Sequence, residues 1–310
     1  MDPPYGIICN RLKAGGVVPF LGAGASFVGR SADAAWDAAT PTFLPSGLEL
    51  ARFLAEEAEF PAKGPFERDD LAKVSSYYVD VAGRRTLRER LRDVLDHDYT
   101  CGPLHDFLAS VPVPLVIVVT NYDVLVEQAF RAAGKPYDLV VYSADRKDIA
   151  NAILWWPHGA TQPITAAPNE LDIDLATTTV IYKMHGSLVP EQSEWDSFVI
   201  TEEDYVEFLS RMTMSSAIPS VFFPHFRERS FLFLGYSLRD WNLRVVLKNL
   251  NKCLATRPSG DNDGDDPLPS WAIQREPSEL ERKLWSKRSV NIFDVALDEF
   301  VQRMRERLGK

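Results

Sequence analysis

Two hydrophobic periods alternate along the chain. Short apolar runs rich in β-branched and aromatic residues have the length and composition of buried strands: VVPFL (17–21), PLVIVVT (114–120), YDLVVY (137–142), TVIYKM (179–184), SFLFLG (230–235), SWAIQ (270–274) and VNIFDV (290–295). Most of the sequence between them carries apolar residues at three- and four-residue spacing, as helices with one face on a core do. This alternation predicts an α/β fold, a Rossmann-like parallel sheet with helices on both faces. Between the first two runs, LELARFLAEEAEF, DDLAKVSSYYVDVAGRRTLRERLRDVL and PLHDFLA read as helices. About residues 47–110 are therefore expected to form a helical subdomain inserted into a single domain spanning 1–310. Residues 161–178 and 256–269, rich in Pro, Gly, Asp and Asn, read as surface loops.

Composition narrows the classes. With 45% hydrophobic and 25% charged residues, 310 residues bury a substantial core. Thirty-four basic residues against 44 acidic ones give a net charge of −10, and no basic block exists to track phosphates, which argues against direct nucleic-acid binding. No apolar stretch reaches the roughly 18–20 residues of a membrane span, and MDPPYGIICN lacks the regions of a signal peptide. A soluble cytoplasmic protein is expected, without a membrane partner. Cys9, Cys101 and Cys253 form no C-x-x-C pair, so no zinc module is expected and each cysteine reads as a small buried apolar residue. In DNDGDD the glycine stands two places early for a calcium-binding hand and no closing Glu follows, so it reads as a solvated turn.

Four predicted strands end in polar or glycine-rich turns. VVPFLGAGAS (17–26) runs into Gly22, Ala23, Gly24, Ala25 and Ser26. Glycines at a strand-to-helix turn let the backbone approach a pyrophosphate, whose charge the following helix attracts. Phe27 stands in place of the third glycine of the usual fingerprint, and a tight structural turn would look the same. VTNYDVLVE (119–127) closes its strand with Asn121 and Asp123, which emerge where open parallel sheets bind ligands; either could instead cap the next helix. VIYKMHGSL (180–188) ends in His185, Gly186 and Ser187, placing a histidine for acid–base work. His158 in WWPHGA is its rival, while His97, His105 and His225 lie in helical or turn contexts. FLFLGYSLRDWNL (231–243) passes Gly235, Tyr236 and Ser237 toward a helix near Arg239 and Asp240. It suits the other half of a dinucleotide, or a plain junction capped by Ser237 or Asp240.

Taken in order, GAGAS, TNYD, KMHG and LGYSLRD resemble the sirtuin-like NAD-hydrolase domains of bacterial antiphage defence, over residues 17–243. Ordinary sirtuins carry GAG-x-S, Q-N-x-D, HG and G-T/S-S at the corresponding places. The resemblance implies a sirtuin-like NAD-binding catalytic domain in which Asn121 and His185 are the catalytic pair. Asp123 would hold the nicotinamide carboxamide, Gly22, Ala23, Gly24 and Ser26 would face the pyrophosphate, and Gly235 and Ser237 the adenosine half. Thr120 counts with the NAD-binding residues and stands where sirtuin deacylases carry a glutamine. NAD+ enters as substrate, and neither member of the pair needs a metal.

Sirtuin deacylases generally carry a zinc module with two cysteine pairs, which three scattered cysteines cannot build. The resemblance thus implies water as nucleophile, NAD+ going to ADP-ribose and nicotinamide in an abortive response to infection. A metal-free deacylase or ADP-ribosyltransferase stands as an alternative. So does, from another class, a module that senses NAD+ or a related nucleotide without cleaving it. Control by assembly is expected, as a homo-oligomer or with a separate defence protein such as a HerA-like ATPase, an Argonaute-like protein or a phage-sensing partner. The helical segments 47–110 are the candidate surface.

Overall fold

The computed structural model describes residues 2–31, 33–64, 66–144, 152–213, 217–236 and 268–309. Helix α1 (Tyr5–Lys13) and strand β1 (Val17–Leu21) are followed by α2 (Gly47–Glu57), α3 (Leu71–Ala82), α4 (Arg84–Leu95) and α5 (Pro103–Ala109). Ser46 and Glu49 close a reciprocal capping box on α2, and Asp70 accepts the N–H groups of Ala72 and Lys73 at the start of α3. The apolar pattern running on from α3 into α4 is interrupted by Gly83, whose φ of +87° turns the chain between the two helices.

The chain continues through β2 (Val116–Val119), α6 (Leu125–Ala132), β3 (Asp138–Tyr142), β4 (Ile153–Trp156), β5 (Ile164–Ala166) and β6 (Val180–Lys183). Then come β7 (Gly186–Ser187), β8 (Ser197–Phe198), α7 (Glu202–Thr213), α8 (Phe222–Glu228) and β9 (Ser230–Leu234). It closes with β10 (Ser270–Gln274), α9 (Glu279–Ser286), β11 (Val290–Asp294) and α10 (Leu297–Leu308). Among the described residues the main sheet has nine strands in the order β11-β10-β9-β1-β2-β6-β3-β4-β5. From β11 across to β3 every neighbouring pair is parallel, and β4 and β5 extend the sheet antiparallel beyond β3. From β1 the chain first builds outward through β2, then returns to lay β9 on the other flank of β1. This is a topological switch point, where open α/β sheets bind ligands.

Alternate side chains along the strands feed two cores, so helices cover both faces, as the sequence pattern predicts. Val18, Phe20, Val118 and Tyr182 join Phe208 of α7, Phe222 and Phe226 of α8 and Trp285 of α9. Val17, Leu21, Val119 and Ile181 join Ile8 of α1, Phe107 of α5, Phe130 of α6 and Met304 of α10. Each side chain of this size contributes roughly 1.5–3 kcal/mol when fully buried. Helices α2, α3 and α4 build a third core from Leu50, Leu54, Val74, Leu87 and Leu91, which reaches Leu125, Leu188 and Phe198 at the carboxyl edge of the sheet.

Residues 161–178 depart from the surface loop expected of them. They include β5 and then Leu171, Ile173 and Leu175, buried in the first core. The alternation Leu-Asp-Ile-Asp-Leu drives that burial by turning every second side chain inward. Most of segment 256–269, the helix expected near Arg239, Ser237 and Cys253 lie outside the described residues. Cys9 is buried, and Cys101 is half-buried with its thiol on the Leu125 carbonyl at 3.3 Å. No described helix is long and apolar enough to cross a membrane.

Candidate active site

Four strands that carry the motifs end at one level. Leu21 is in register with Leu234 on one side and Val119 on the other, and Val119 with Lys183. The ladder runs one step further, Thr120 N–H donating to the Leu21 carbonyl at 3.0 Å and Met184 N–H to that of Val119 at 2.9 Å. Asn121 and His185 therefore leave adjacent strands at the same step, where neighbouring backbones lie roughly 4.8 Å apart.

The glycines interlock the two turns at the switch point. Gly22 N–H donates to Leu234 O at 3.0 Å and Gly24 N–H to Gly235 O at 2.8 Å. A Cβ at Gly24 would stand 2.9 Å from Gly235 O, and one at Gly235, whose φ is +70°, 2.0 Å from Ala25 N. Only glycine permits backbones to meet this closely. After Gly22 the chain makes a single 3-10 turn, Ala23–Phe27, and is extended again at Val28. That short turn takes the place of the α-helix whose N-terminus was expected to face a pyrophosphate, and close backbone approach is what it offers a ligand.

Ser26 joins Asn121 to Asp123. A carboxylate only accepts, and Asp123 accepts from Ser26 Oγ at 2.8 Å and from Leu125 N–H at 3.1 Å, which ties down the start of α6. With its one proton on Asp123, the Ser26 hydroxyl can only accept from other groups, and it takes Asn121 Nδ2 at 2.8 Å. This donor order fixes the Asn121 amide: NH2 toward Ser26, carbonyl oxygen away from it. Of the two capping candidates, Asp123 holds a helix N–H and Asn121 does not. Thr120 Oγ1 donates to Leu21 O at 3.1 Å and accepts from Tyr236 OH at 2.6 Å, linking the ends of β2 and β9. Tyr122 is anchored by its hydroxyl on Val199 O at 2.6 Å and by an edge contact with Phe198.

His185 sits at the turn into β7, where Gly186 has φ +84° and a Cβ would lie 2.0 Å from Ser197 O. Only a glycine lets the chain pass β8 there, and so hold the imidazole in place. The ring meets Tyr205 and Phe208 of α7 edge-on, with centroids 5.6 and 5.1 Å away. Its Nε2 is buried without a hydrogen-bond partner among the described residues. Burial pushes the imidazole pKa down to about 4. The rival His158 is exposed after β4, and because β4 opposes β3 that turn lies at the other edge of the sheet. His105 Nδ1 accepts Gly102 N–H at 3.0 Å and serves the start of α5.

On the far side of the glycine turn lies a cavity of about 600 Å³, lined by Ala23, Gly24, Gly235 and Tyr236 together with Gln274, Glu276 and Asp298. Asn121 and His185 do not line it. From β10 to β6 is four strand intervals, about 19 Å, so the cavity and the Asn121–His185 pair flank the interlocked turns. Gln274 and Glu276 escaped sequence reasoning because no glycine or spacing marks them, only their place at a strand's carboxyl end. Among the described residues, no three His, Cys, Asp or Glu side chains gather to hold a metal ion.

A family model described as SIR2-like domain matches residues 115–293. The chain is 22% identical over 240 residues to defense-associated sirtuin 2 of Bacillus subtilis, covering 76% of this chain and 20% of that protein. It is 29% identical over 184 residues to the NAD(+) hydrolase ThsA of Acinetobacter baumannii, covering 58% of this chain and 31% of the relative. It is 28% identical over 189 residues to the protein of the same name in Enterococcus faecium, covering 58% and 32%. The matched stretches thus amount to about a fifth to a third of each relative's length.

Proposed function

The chain belongs to the SIR2-like domain family, and on that premise we propose that it hydrolyses NAD+ to nicotinamide and ADP-ribose as an effector of antiphage defence. Relatives named NAD(+) hydrolase and defense-associated sirtuin support the activity and its setting. The observation that carries the chemistry is an oriented amide, Asn121, and an imidazole with an unpartnered Nε2, His185, leaving adjacent strands at one step.

Cleavage of the nicotinamide–ribose bond releases a neutral leaving group and leaves an oxocarbenium-like sugar. The site has to orient, stabilise and deliver water. Asn121 presents its carbonyl oxygen to a ribose hydroxyl or to that water. When water adds to the sugar carbon a proton is released, and His185 Nε2 accepts it; NAD+ and water give nicotinamide, ADP-ribose and H+. The depressed pKa keeps the imidazole neutral throughout the cellular pH range, and a bound dinucleotide that places charge beside it would raise its basicity toward that of a working general base. Asp123 retains acceptor capacity beyond Ser26 and Leu125, which suits it to the nicotinamide carboxamide. Gly22, Ala23 and Gly24 pass the pyrophosphate, while Gly235, Ser237 and the 600 Å³ cavity take the adenosine half. Ser26 and Thr120 act from behind this surface, through Asn121 and Tyr236.

Activity is held in check by assembly, with copies of this chain or with a separate phage-sensing protein, and the outer surface of α2, α3 and α4 is the part we assign to it. A monomer fully active at low concentration would refute that control. The test of the activity is incubation with NAD+ alone and with an acetyl-lysine peptide. Nicotinamide release without peptide is expected. Release that requires peptide means a deacylase or transferase, and NAD+ that is bound but stays intact in every assembly state of the chain means a binding module.

A further inference from the structure

A lysine is an anomaly in the buried strand β6. Lys183 closes that strand with 0% of its surface exposed, two residues before His185. Its ammonium donates to the main-chain carbonyl of Asp123 and stands 3.4 Å from Glu127 Oε1, itself in a side chain 2% exposed on the first turn of α6. Among the described residues neither Glu127 oxygen has a hydrogen-bond partner, so Lys183 is the counter-ion that this carboxylate has. A buried ion pair is a poor way to stabilise a fold: taking both charges from water costs several kcal/mol per ion, and apolar pairs of similar volume often do as well or better. An apolar pair could not, however, donate to the Asp123 carbonyl. That carbonyl lies one residue before the first carbonyl taken up by α6, since Gln128 N–H bonds Val124 O at 2.9 Å. A backbone acceptor left without a donor in the interior is costly.

We infer that Lys183 is a positioning residue for the Asn121–Asp123 segment, held to it by its bond to the Asp123 carbonyl. The lysine ties the segment at the Asp123 carbonyl while Ser26 ties it at the Asn121 and Asp123 side chains, so the amide and the carboxylate keep one geometry relative to His185, two residues beyond Lys183. Misplacement of reacting groups by about 1 Å costs on the order of 100-fold in rate, so a loosened segment shows first in turnover. This inference rests on the proposed hydrolase reading for its kinetic readout, and its structural readout is independent of that reading.

The experiment compares wild type, Glu127→Gln, and Lys183→Met combined with Glu127→Gln, each as the whole chain. The two variants differ in the tether: Glu127→Gln leaves the buried ammonium on the Asp123 carbonyl without its counter-charge, and the double variant removes both charges together with the tether. Nicotinamide release from NAD+ is measured alongside amide hydrogen exchange of the peptide covering residues 119–125. Glu127→Gln, which keeps the lysine's bond to the carbonyl, should lose less kcat than the double variant. The double variant should lose at least about tenfold in kcat with KM for NAD+ within about twofold, and its 119–125 amides should exchange faster while those of β1 and β9 do not. Equal kcat and equal exchange in the two variants would overturn the inference. So would failure of the double variant alone to fold, which would make the lysine a stability element. If wild type releases no nicotinamide, the kinetic arm gives no reading and the exchange comparison alone decides the tether.

Discussion

Asn121 and His185 each stand two residues beyond a register pair, Val119 and Lys183, on neighbouring parallel strands. One sheet step thus separates the backbone that carries the amide from the backbone that carries the imidazole. The backbone ladder sets where the two chains leave the sheet, and the Ser26 bond and the Gly186 turn set the side chains beyond it.

The polarity of the Asn121 amide is testable through Ser26. Ser26→Ala removes the acceptor that holds the Asn121 NH2 group, and Asn121→Asp places two carboxylates on one hydroxyl proton. Nicotinamide release should fall about tenfold in Ser26→Ala, the scale of about 1–1.5 kcal/mol for one positioning hydrogen bond. It should fall at least about 100-fold in Asn121→Asp. Steady-state kinetics with NAD+ checks both; wild-type kcat in Ser26→Ala would show that the relay does not orient the amide.

His185→Ala should reduce nicotinamide release by about 10²- to 10⁴-fold, the range of a well-placed general base, with secondary structure by circular dichroism unchanged. His158→Ala, at the opposite edge of the sheet, should keep wild-type turnover.

Acid sensitivity of the fold follows from the same residue. The folded-state pKa of His185 lies at about 4, below the ordinary value of 6.5, so between these values the unfolded chain binds more protons than the folded one. Its contribution is flat above about pH 6.5 and stability falls as pH drops toward 4, by roughly 3 kcal/mol at most. His185→Leu should flatten this part of the stability profile, measured by urea denaturation between pH 7 and pH 4.5. An unchanged slope would show that other groups set it.

Gly235→Ala places a methyl 2.0 Å from Ala25 N at a φ of +70°. Left-handed backbone alone costs an alanine about 1–2 kcal/mol, and the contact adds to it. A lower Tm, or recovery only as aggregate, is expected on thermal denaturation. Gly134→Ala, at φ +62° with open space around it, should cost only the conformational part.

All seven strand runs legible in the sequence are the strands from β11 across to β3, because burial on both faces makes parallel strands continuously apolar. β4 and β5 went unread: Ile-Leu-Trp-Trp is short, and Ile-Thr-Ala is exposed and set among prolines and alanines. The four turns were legible as places, since glycines and polar residues at strand ends stand out against apolar runs. Their hydrogen bonding was not, because the Ser26 link spans 95 residues to Asn121 and depends on strand order. Lys183 was visible as a charge inside TVIYKM, and only the packing of α6 supplies the partner that gives it meaning.

The clasp between Gly24 and Gly235 makes the centre of the molecule a single mechanical part. Pulling β1 and β9 apart would tear contacts made by main chain, which has no rotamers through which to yield. Whatever throttles the chemistry therefore gains most by blocking the doorway, and leaves the floor alone.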